Sequence, residues 1–183
     1  EAGGEDLALH LRGPGTPGRI LFDLAESLQG AASATGALFL INDRVDIALT
    51  LGLPGAHLGQ RSLPPAEARE LLGPDRTLGL SVHGGDEARV ATTKAVDFLV
   101  VGTIFPSASH PGAPPGGRRR LEEVGAVTDL PLVAIGGVTG ERVGETLRAG
   151  AHGVAVRSGI WDARDPEAAL RGYLKELKEE EDA

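Results

Sequence analysis

Short apolar runs alternate with longer segments of helical period along most of this chain, and the stretch from Leu132 to Trp161 shows the pattern most clearly. It reads as a buried strand, a turn that contains two glycines, an amphipathic helix and a second buried strand. Apolar strands joined by a helix are typical of a parallel sheet that is covered on both faces. Both strands are therefore expected to end at the same edge of one sheet.

The same unit of strand followed by helix repeats from Asp6 onward. The predicted strands lie near Leu7 to Leu11, Ala37 to Ile41, Gly55 to Leu58, Thr77 to Ser81, Phe98 to Val101, Leu132 to Ile135 and Gly153 to Val156. The predicted helices lie near Gly18 to Ala32, Asp46 to Leu51, Pro65 to Leu72, Asp86 to Ala95, Leu121 to Thr128, Glu141 to Ala149 and Pro166 to Glu180. Local signals agree with these ends, because Asp165 precedes a proline at a first helical position and Gly150 follows a helix end.

Seven such units predict an α/β fold, a (β/α)8 TIM-type barrel whose first βα unit is missing from this chain. A barrel of eight strands usually needs about 200 residues or more, and this chain has 183. The alternative is an open doubly wound sheet, but no segment reads as an antiparallel edge strand and no G-x-G-x-x-G fingerprint occurs. No linker interrupts the pattern, so residues 1–183 are expected to form a single barrel domain.

Composition narrows the classes of function. A formal net charge of -8 argues against a nucleic-acid partner, because a phosphate backbone requires a basic face. No apolar run approaches a membrane span and no secretory leader is recognisable, so a cytoplasmic protein without a membrane partner is expected. The absence of Cys excludes disulfides and thiolate catalysis. Few Asn and Gln beside many Pro, Arg and Glu resemble the bias of thermophile proteins.

The turn at Gly136 and Gly137 predicts an anion site. Glycines leave room for a ligand, and backbone N–H groups near a helix start favour a phosphate. The alternative is that the two glycines only make a tight turn from strand to helix. Local binding of an anion would fit a chain that is acidic as a whole.

Polar residues recur at the carboxyl ends of all seven predicted strands, where a parallel barrel builds its active site. The residues that lie there, with the two glycines of the turn after the sixth strand, are His10, Arg12, Asn42, Asp43, Arg44, Gln60, Arg61, Ser62, Ser81, His83, Thr103, Gly136, Gly137, Arg157 and Ser158. The segment from Phe105 to Arg120 exceeds an ordinary βα connection, which suits either a mobile cover over phosphate oxygens or a disordered surface insertion. Within it, the residues from Arg118 to Arg120 could bind an anion or begin a solvated helix.

Two kinds of chemistry are available at these strand ends. Asn42 and Asp43 could hold Mg²⁺, although capping of the following helix by Asp43 explains the same spacing better. His10, His83 and His110 are acid–base candidates near neutral pH, although a His at a strand end is as often a hydrogen-bonding fixture. His57 lies inside a predicted strand and is expected to be structural.

Six segments together resemble the thiamine phosphate synthase/TenI family, in order and in spacing, from about Leu7 to Trp161. They are LINDRVDIAL from Leu40, GAHLGQ from Gly55, GLSVH from Gly79, VGTIFPSASH from Val101, VAIGGVT from Val133 and AGAHGVAVRSGI from Ala149. The resemblance implies thiamine biosynthesis and a small phosphorylated heterocyclic substrate. Synthases join a pyrimidine diphosphate to a thiazole phosphate and release pyrophosphate with the help of Mg²⁺, whereas TenI-type members tautomerise a carboxythiazole phosphate to its aromatic form.

The resemblance also implies roles for individual residues. The thiazole phosphate would be bound by Ser107, Ser109, Gly136, Gly137, Arg157 and Ser158. The pyrimidine diphosphate would be bound by His10, Arg12, Asn42, Ser81 and His110. The catalytic candidates are His110, His83 and Ser81, and the metal ligand is Asp43. No organic cofactor is implied, and the sequence is compatible with a homo-oligomer.

The departures from the family pattern fall mainly on the diphosphate side. The family run Q-L-R-x-K reads HLRGP from His10, the run G-Q-E-D reads GQRS from Gly59, and the loop Lys is His110. Loss of two lysines and one metal ligand should cost the condensing reaction on the order of several kcal/mol. We therefore favour TenI-like tautomerase chemistry, with the synthase or a non-catalytic binder of a phosphate ligand as alternatives. Tautomerase chemistry has its own gap, because the TenI run G-H-V-F reads GTIF from Gly102 and lacks the proton-transfer His.

Overall fold

The structure is a computed structural model of the chain that describes residues 4–91, 95–107, 112 and 114–181. Its residues group into two compact units, one that ends at Leu80 and one that begins at Ser81. Seven strands occur among the described residues, and the strand pairs within each unit are parallel. No helix in the described ranges combines the length and the apolar character needed to cross a bilayer.

The first unit places four strands side by side in chain order. The strands are β1 (Ala8–Leu11), β2 (Leu38–Asn42), β3 (Gly55–Leu58) and β4 (Thr77–Val82), whose last two residues belong to the second unit. The helices are α1 (Gly18–Thr35), α2 (Val45–Leu51) and α3 (Pro65–Leu72), and a short 3₁₀ turn spans Gly4–Asp6. All four residues of β3 are buried, as expected for a strand that is covered on both faces.

The second unit repeats the parallel arrangement with three further strands. They are β5 (Phe98–Val101), β6 (Leu132–Ile135) and β7 (Gly153–Ala155). The helices are α4 (Gly85–Ala91), α5 (Gly117–Gly125), α6 (Val143–Arg148), α7 (Ser158–Trp161) and α8 (Pro166–Glu181), and a 3₁₀ turn spans Gly140–Arg142. Ile135 at the end of β6 pairs with Ala155 at the end of β7, so the turns that follow these strands begin at one edge.

Most predicted elements are confirmed, including the cap before α8, where the N–H of Ala168 donates to Asp165 Oδ1 at 3.0 Å. The predicted start of α5 at Leu121 is wrong, because this helix begins at Gly117. The four-residue helix α7 was not predicted. The additional βα unit that the sequence predicts ahead of Leu7 stays a prediction.

The early start of α5 has a tertiary cause. The N–H of Gly116 donates to the Thr103 carbonyl and the N–H of Gly117 donates to the Ile104 carbonyl, each at 2.9 Å. Arg120 Nη1 also donates to the Thr103 carbonyl, at 2.8 Å. These bonds fix both ends of the loop after β5 to each other, so Arg118 and Arg120 belong to the first turn of the helix and not to the loop.

Candidate active site

The first unit gathers polar groups at the ends of β1, β2 and β3. Asn42 pairs with His57 across the β2–β3 ladder, and the N–H of Asp43 donates to the His57 carbonyl at 2.8 Å. The ring of His10 lies 4.8 Å from the ring of His57, centroid to centroid, in an edge-to-face arrangement. The parallel register therefore brings together residues that are far apart in the sequence.

Asp43 has an unusual backbone conformation, with φ at 63° in the left-handed region. Among the described residues it is the one non-glycine position with a positive φ. The N-cap residue of α2 is Arg44, so the interpretation of Asp43 as a helix cap is wrong. Instead, Asp43 Oδ1 accepts a bond from the N–H of Gly59 at 2.9 Å. Residues in such sparsely populated conformations cluster at functional sites, which favours a functional role for Asp43.

Two side chains complete the surroundings of the Asp43 carboxylate. The hydroxyl of Ser62 donates to Oδ1 and the amide of Asn42 donates to Oδ2. The N–H of Gly59 also donates to Ser62 Oγ at 2.7 Å. We call Asn42, Asp43, Gly59 and Ser62 the Asp43 cluster.

The Asp43 cluster fits one mode of Mg²⁺ binding. Mg²⁺ is usually held by one or two carboxylates together with waters and substrate phosphates. Asp43 is exposed, and a carboxylate oxygen that accepts hydrogen bonds can also ligate a hard cation. The described ranges contain no group of three or more His, Asp or Glu side chains that could hold a metal by themselves. The donors suit an ion held by a single carboxylate together with substrate phosphates.

The two histidines beside this cluster stay neutral near pH 7. Burial is the main cause that lowers the pKa of His57 to about 3, and the neighbouring His10 lowers it further. Desolvation by the surrounding protein, followed by the charge of Arg12, also lowers the pKa of His10, although this residue is itself exposed at the surface. The burial of His57 agrees with the structural role predicted for it. A neutral imidazole at His10 can both donate and accept a hydrogen bond.

The arginines that follow β1, β2 and β3 differ in their surroundings. Arg44 forms a short ion pair with Asp46, with Nη2 and Oδ2 separated by 2.6 Å. Arg12 and Arg61 are exposed. Arg44, which the sequence placed among the strand-end residues, therefore serves the start of α2.

In the second unit, the glycine turn after β6 packs against the loop after β5. Gly136 and Gly137 have positive φ values of 98° and 64°. A Cβ at Gly137 would collide with the Pro106 carbonyl, and a Cβ at Gly136 would lie 2.6 Å from Thr103 Cγ2. The close approach of the neighbouring loop therefore requires glycine at both positions, whether or not a ligand binds there.

Arg142 connects the same loop and turn. Its Nη1 donates to the Gly137 carbonyl at 3.0 Å, and its guanidinium carbon lies 4.5 Å from the centre of the Phe105 ring. The N–H of Phe105 in turn donates to the Gly136 carbonyl at 2.9 Å. A stacked guanidinium of this kind stabilises by about 0.5–2 kcal/mol. The start of the loop after β5 is therefore held against the glycine turn in two ways, by the backbone bond of Phe105 and by the stacking of Arg142 on its ring.

The remaining predicted phosphate ligands lie at the ends of β5 and β7. Ser107 is half-buried, and Arg157 and Ser158 are exposed at the start of α7. The next residue, Gly159, lies against Tyr173 of α8, since a Cβ there would be 2.5 Å from the Tyr173 hydroxyl. Ser109 and His110 lie outside the described residues.

Of the catalytic candidates, the structure describes Ser81 and His83. Ser81 is half-buried in β4. Glu87 Oε2 accepts a bond from the His83 N–H at 2.8 Å and lies 3.2 Å from the His83 ring nitrogen Nδ1. These contacts resemble a capping arrangement at the start of α4, which supports the hydrogen-bonding interpretation of His83. Thr103, at the position of the expected TenI His, is buried.

Sequence reasoning missed Arg142 and Tyr173. Arg142 follows the glycine turn by five residues, and its contact with Phe105 joins positions 37 apart in the chain, which no local spacing reveals. Tyr173 is the only Tyr of the chain, and this rarity in a polar helix is the one signal that could have drawn attention to it.

Comparisons with known proteins agree with the resemblance. A family model described as thiamine monophosphate synthase matches residues 3–160. A protein of Roseiflexus castenholzii named thiamine-phosphate synthase is 41% identical over 165 residues, which cover 90% of this chain and 72% of the relative. A protein of the same name from Chlorobium luteolum is 42% identical over 173 residues, with 94% and 81% covered.

A solved structure extends the agreement to the fold. Thiamine phosphate pyrophosphorylase from Pyrococcus furiosus superimposes with a TM-score of 0.87 at 32% sequence identity, covering 97% of this chain and 85% of that one. The α/β class predicted from the sequence is thereby confirmed. With the family model covering most of the chain and relatives at about 40% identity, the chain belongs to the thiamine phosphate synthase/TenI family.

Proposed function

We propose that this chain is a thiamine phosphate synthase, which joins a pyrimidine diphosphate to a thiazole phosphate and releases pyrophosphate. The observation that carries the proposal is the Asp43 carboxylate, which adopts a left-handed conformation and is bonded to Gly59, Ser62 and Asn42 instead of capping α2. A synthase needs a carboxylate for the metal, whereas a tautomerase does not. The names of the relatives favour the same function over the tautomerase that the sequence alone favours.

The proposed reaction exchanges one bond for another. The bond between the pyrimidine methylene carbon and the diphosphate oxygen breaks, and its electron pair leaves with pyrophosphate. The thiazole nitrogen supplies the pair that forms the new carbon–nitrogen bond. No proton needs to be transferred, so the protein's main task is to neutralise the departing charge and to orient the two reactants.

The first unit supplies groups for the pyrimidine diphosphate. Asp43 would hold Mg²⁺, which when bound neutralises charge on the leaving pyrophosphate. The exposed guanidinium of Arg12 contributes a second positive charge, and the neutral ring of His10 is suited to a hydrogen bond with the pyrimidine. Ser62, in place of a second family carboxylate, keeps Asp43 oriented through its hydroxyl.

The second unit supplies groups for the thiazole phosphate. Gly136, Gly137, Arg157 and Ser158 follow β6 and β7, whose ends lie side by side in the sheet. Their backbone N–H groups and the Ser107 hydroxyl are donors for phosphate oxygens. We call the two turns, residues 136–138 and 157–159, the phosphate cradle. Arg142 and Phe105 keep the first of these turns in place.

Tautomerase activity is supported less well. The family position for its proton-transfer His is Thr103, which is buried, and His83 already contacts Glu87. Neutral His10 belongs to the first unit, beside the Asp43 cluster. The remaining His candidate, His110, lies outside the described residues.

The test is a turnover assay with both substrates. Pyrimidine diphosphate and thiazole phosphate are incubated with the protein, and thiamine phosphate and pyrophosphate are quantified with Mg²⁺ and with excess chelator. Equal amounts of both products, dependent on Mg²⁺, are expected. A parallel incubation contains the non-aromatic carboxythiazole phosphate. Its aromatisation without any condensation in the first assay would identify a tautomerase, and binding of either substrate without turnover would identify a non-catalytic relative.

A further inference from the structure

We propose that Tyr173 is a positioning residue that fixes the spacing between the two turns of the phosphate cradle. The inference rests on the proposed function above, in which these turns bind the thiazole phosphate. Tyr173 lies on α8, a helix that contributes no strand-end residue to the site. It therefore acts through the backbone of the cradle and not by touching the substrate.

The hydroxyl of Tyr173 meets both turns. It donates to the Val138 carbonyl at 3.1 Å, directly after the two glycines of the first turn. It also lies against Gly159 of the second turn, at 2.5 Å from where a Cβ would be. One rigid side chain thus contacts the segment after β6 and the segment after β7.

The position of this hydroxyl is well defined. The ring is half-buried, and its hydroxyl is protonated at neutral pH, as a phenol ordinarily is, so it can donate its hydrogen bond. Desolvation raises the pKa of Tyr173 further in the same direction. The acceptor residue, Val138, is itself buried. A tyrosine has few rotatable bonds, so it holds a fixed distance better than a long flexible side chain would.

Fixed spacing matters because the cradle uses backbone donors. Backbone N–H groups cannot reorient by changing a rotamer, so their distance to the phosphate oxygens depends on where each turn lies. Displacements of about 1 Å at a binding site can cost large factors in rate or affinity. Loss of the Tyr173 bond should therefore weaken binding of the thiazole phosphate and leave the other substrate unaffected.

The experiment is the Tyr173→Phe variant of the full chain, which removes one oxygen and keeps the ring. The dissociation constant and the KM for thiazole phosphate are expected to rise about tenfold, the upper end of what one neutral hydrogen bond contributes. The KM for pyrimidine diphosphate and kcat should not change. Arg171→Ala, which removes an exposed ion pair with Glu167 on the same helix, is the matched control and should leave all constants unchanged.

A fluorescence measurement follows the second turn directly. Trp161 is the only Trp of the chain and lies on α7 with Ser158, 66% exposed. Titration of the parent with thiazole phosphate should change its emission, and Tyr173→Phe should shift the midpoint to higher concentration by the same factor as the KM.

A rescue variant separates positioning from general stability. Gly159→Ala brings a methyl group against the Tyr173 hydroxyl, so it should weaken thiazole phosphate binding in the parent and weaken it less when combined with Tyr173→Phe. A parent that binds and turns over, with a Tyr173→Phe variant that melts earlier but keeps its KM, overturns the positioning role and leaves the synthase intact. A parent protein that neither binds thiazole phosphate nor turns over would contradict both the positioning role of Tyr173 and the synthase function.

Discussion

In the proposed function, the Asp43 cluster and the phosphate cradle represent two ways of building a binding site. The cluster consists mainly of side chains, and Ser62 stands beside Asp43 where the family resemblance implies a second carboxylate. The cradle consists mainly of backbone, and the segments VAIGGVT from Val133 and AGAHGVAVRSGI from Ala149 are among those that carry the resemblance. The side-chain site can change its chemistry by one substitution, whereas the backbone site can change only if its turns move.

This difference explains where supporting residues are found. Asp43 is oriented by partners that belong to the cluster itself, Gly59 and Ser62 among them. The cradle is held from outside by Arg142 and Tyr173, neither of which supplies a donor to the phosphate in the proposed function. Substitutions should therefore affect the two regions through different measurable quantities.

The largest effect is expected for Asp43→Ala. Asp43 holds Mg²⁺ in the proposed function, so kcat/KM for condensation should fall about 10²–10³-fold without its carboxylate. Asp46→Ala, three residues further on at an exposed site paired with Arg44, is the control and should retain activity. Near-parental turnover in Asp43→Ala, measured by pyrophosphate release, would remove Asp43 from the mechanism.

Gly137→Ala should destabilise the first turn of the phosphate cradle. An L-residue with φ near 64° costs roughly 1–2 kcal/mol, and the added methyl group also meets the Pro106 carbonyl. The free energy of unfolding, measured in denaturant, should drop by about 2 kcal/mol or more. Gly140→Ala is the matched control, because no atom lies within 4 Å of its added Cβ, and it should change stability little. Equal stability of both variants would contradict the packing described for the turn.

The pH dependence of stability should report on the first region. Unfolded His binds a proton below about pH 6.5, whereas His57 stays neutral down to about 3, so the unfolded state binds more protons in between. Stability should therefore be flat above pH 6.5 and fall as the pH decreases below it, by roughly 2 kcal/mol at pH 5 for His57 alone. His10 adds a shift of the same sign.

Denaturant unfolding across the pH range tests this expectation. His57→Gln should flatten the profile between pH 5 and pH 7 relative to the parent. A profile that is level from pH 7 to pH 5 in the parent would show that His57 is not protected from protonation.

The smallest effect is expected for Ser62→Asp. It restores a second carboxylate next to Asp43, where Ser62 now donates its hydroxyl. Carboxylate count sets affinity at hard-cation sites, so the Mg²⁺ concentration for half-maximal activity should fall several-fold. Ser62→Ala is the control for loss of the hydroxyl alone. An increased requirement for Mg²⁺ in Ser62→Asp would show that Ser62 does not occupy a metal-facing position.

Hydrophobic pattern was sufficient to locate the strands, most clearly β2 and β3, whose residues are almost all buried. The hydrophobic pattern was insufficient where tertiary hydrogen bonds determine the end of an element. The start of α5 depends on bonds from Gly116 and Gly117 to residues 13 positions earlier, and a local reading placed the helix four residues too late.

The candidate site shows the same limit. Residue types at strand ends predicted which positions to consider, since parallel strands end together. The contacts that Asp43 makes instead of capping α2 are to Gly59 and Ser62, which lie 16 and 19 residues away. The contact of Tyr173 with Val138 spans 35 residues, and no pattern in the sequence encodes it.

The most direct test of the account is calorimetric titration of the parent, Asp43→Ala and Gly137→Ala with each substrate separately, in the presence of Mg²⁺. We predict that Asp43→Ala loses affinity for pyrimidine diphosphate alone and that Gly137→Ala loses affinity for thiazole phosphate alone. Loss of the same substrate in both variants, or full retention of both substrates, would contradict the division of the two substrates between the Asp43 cluster and the phosphate cradle.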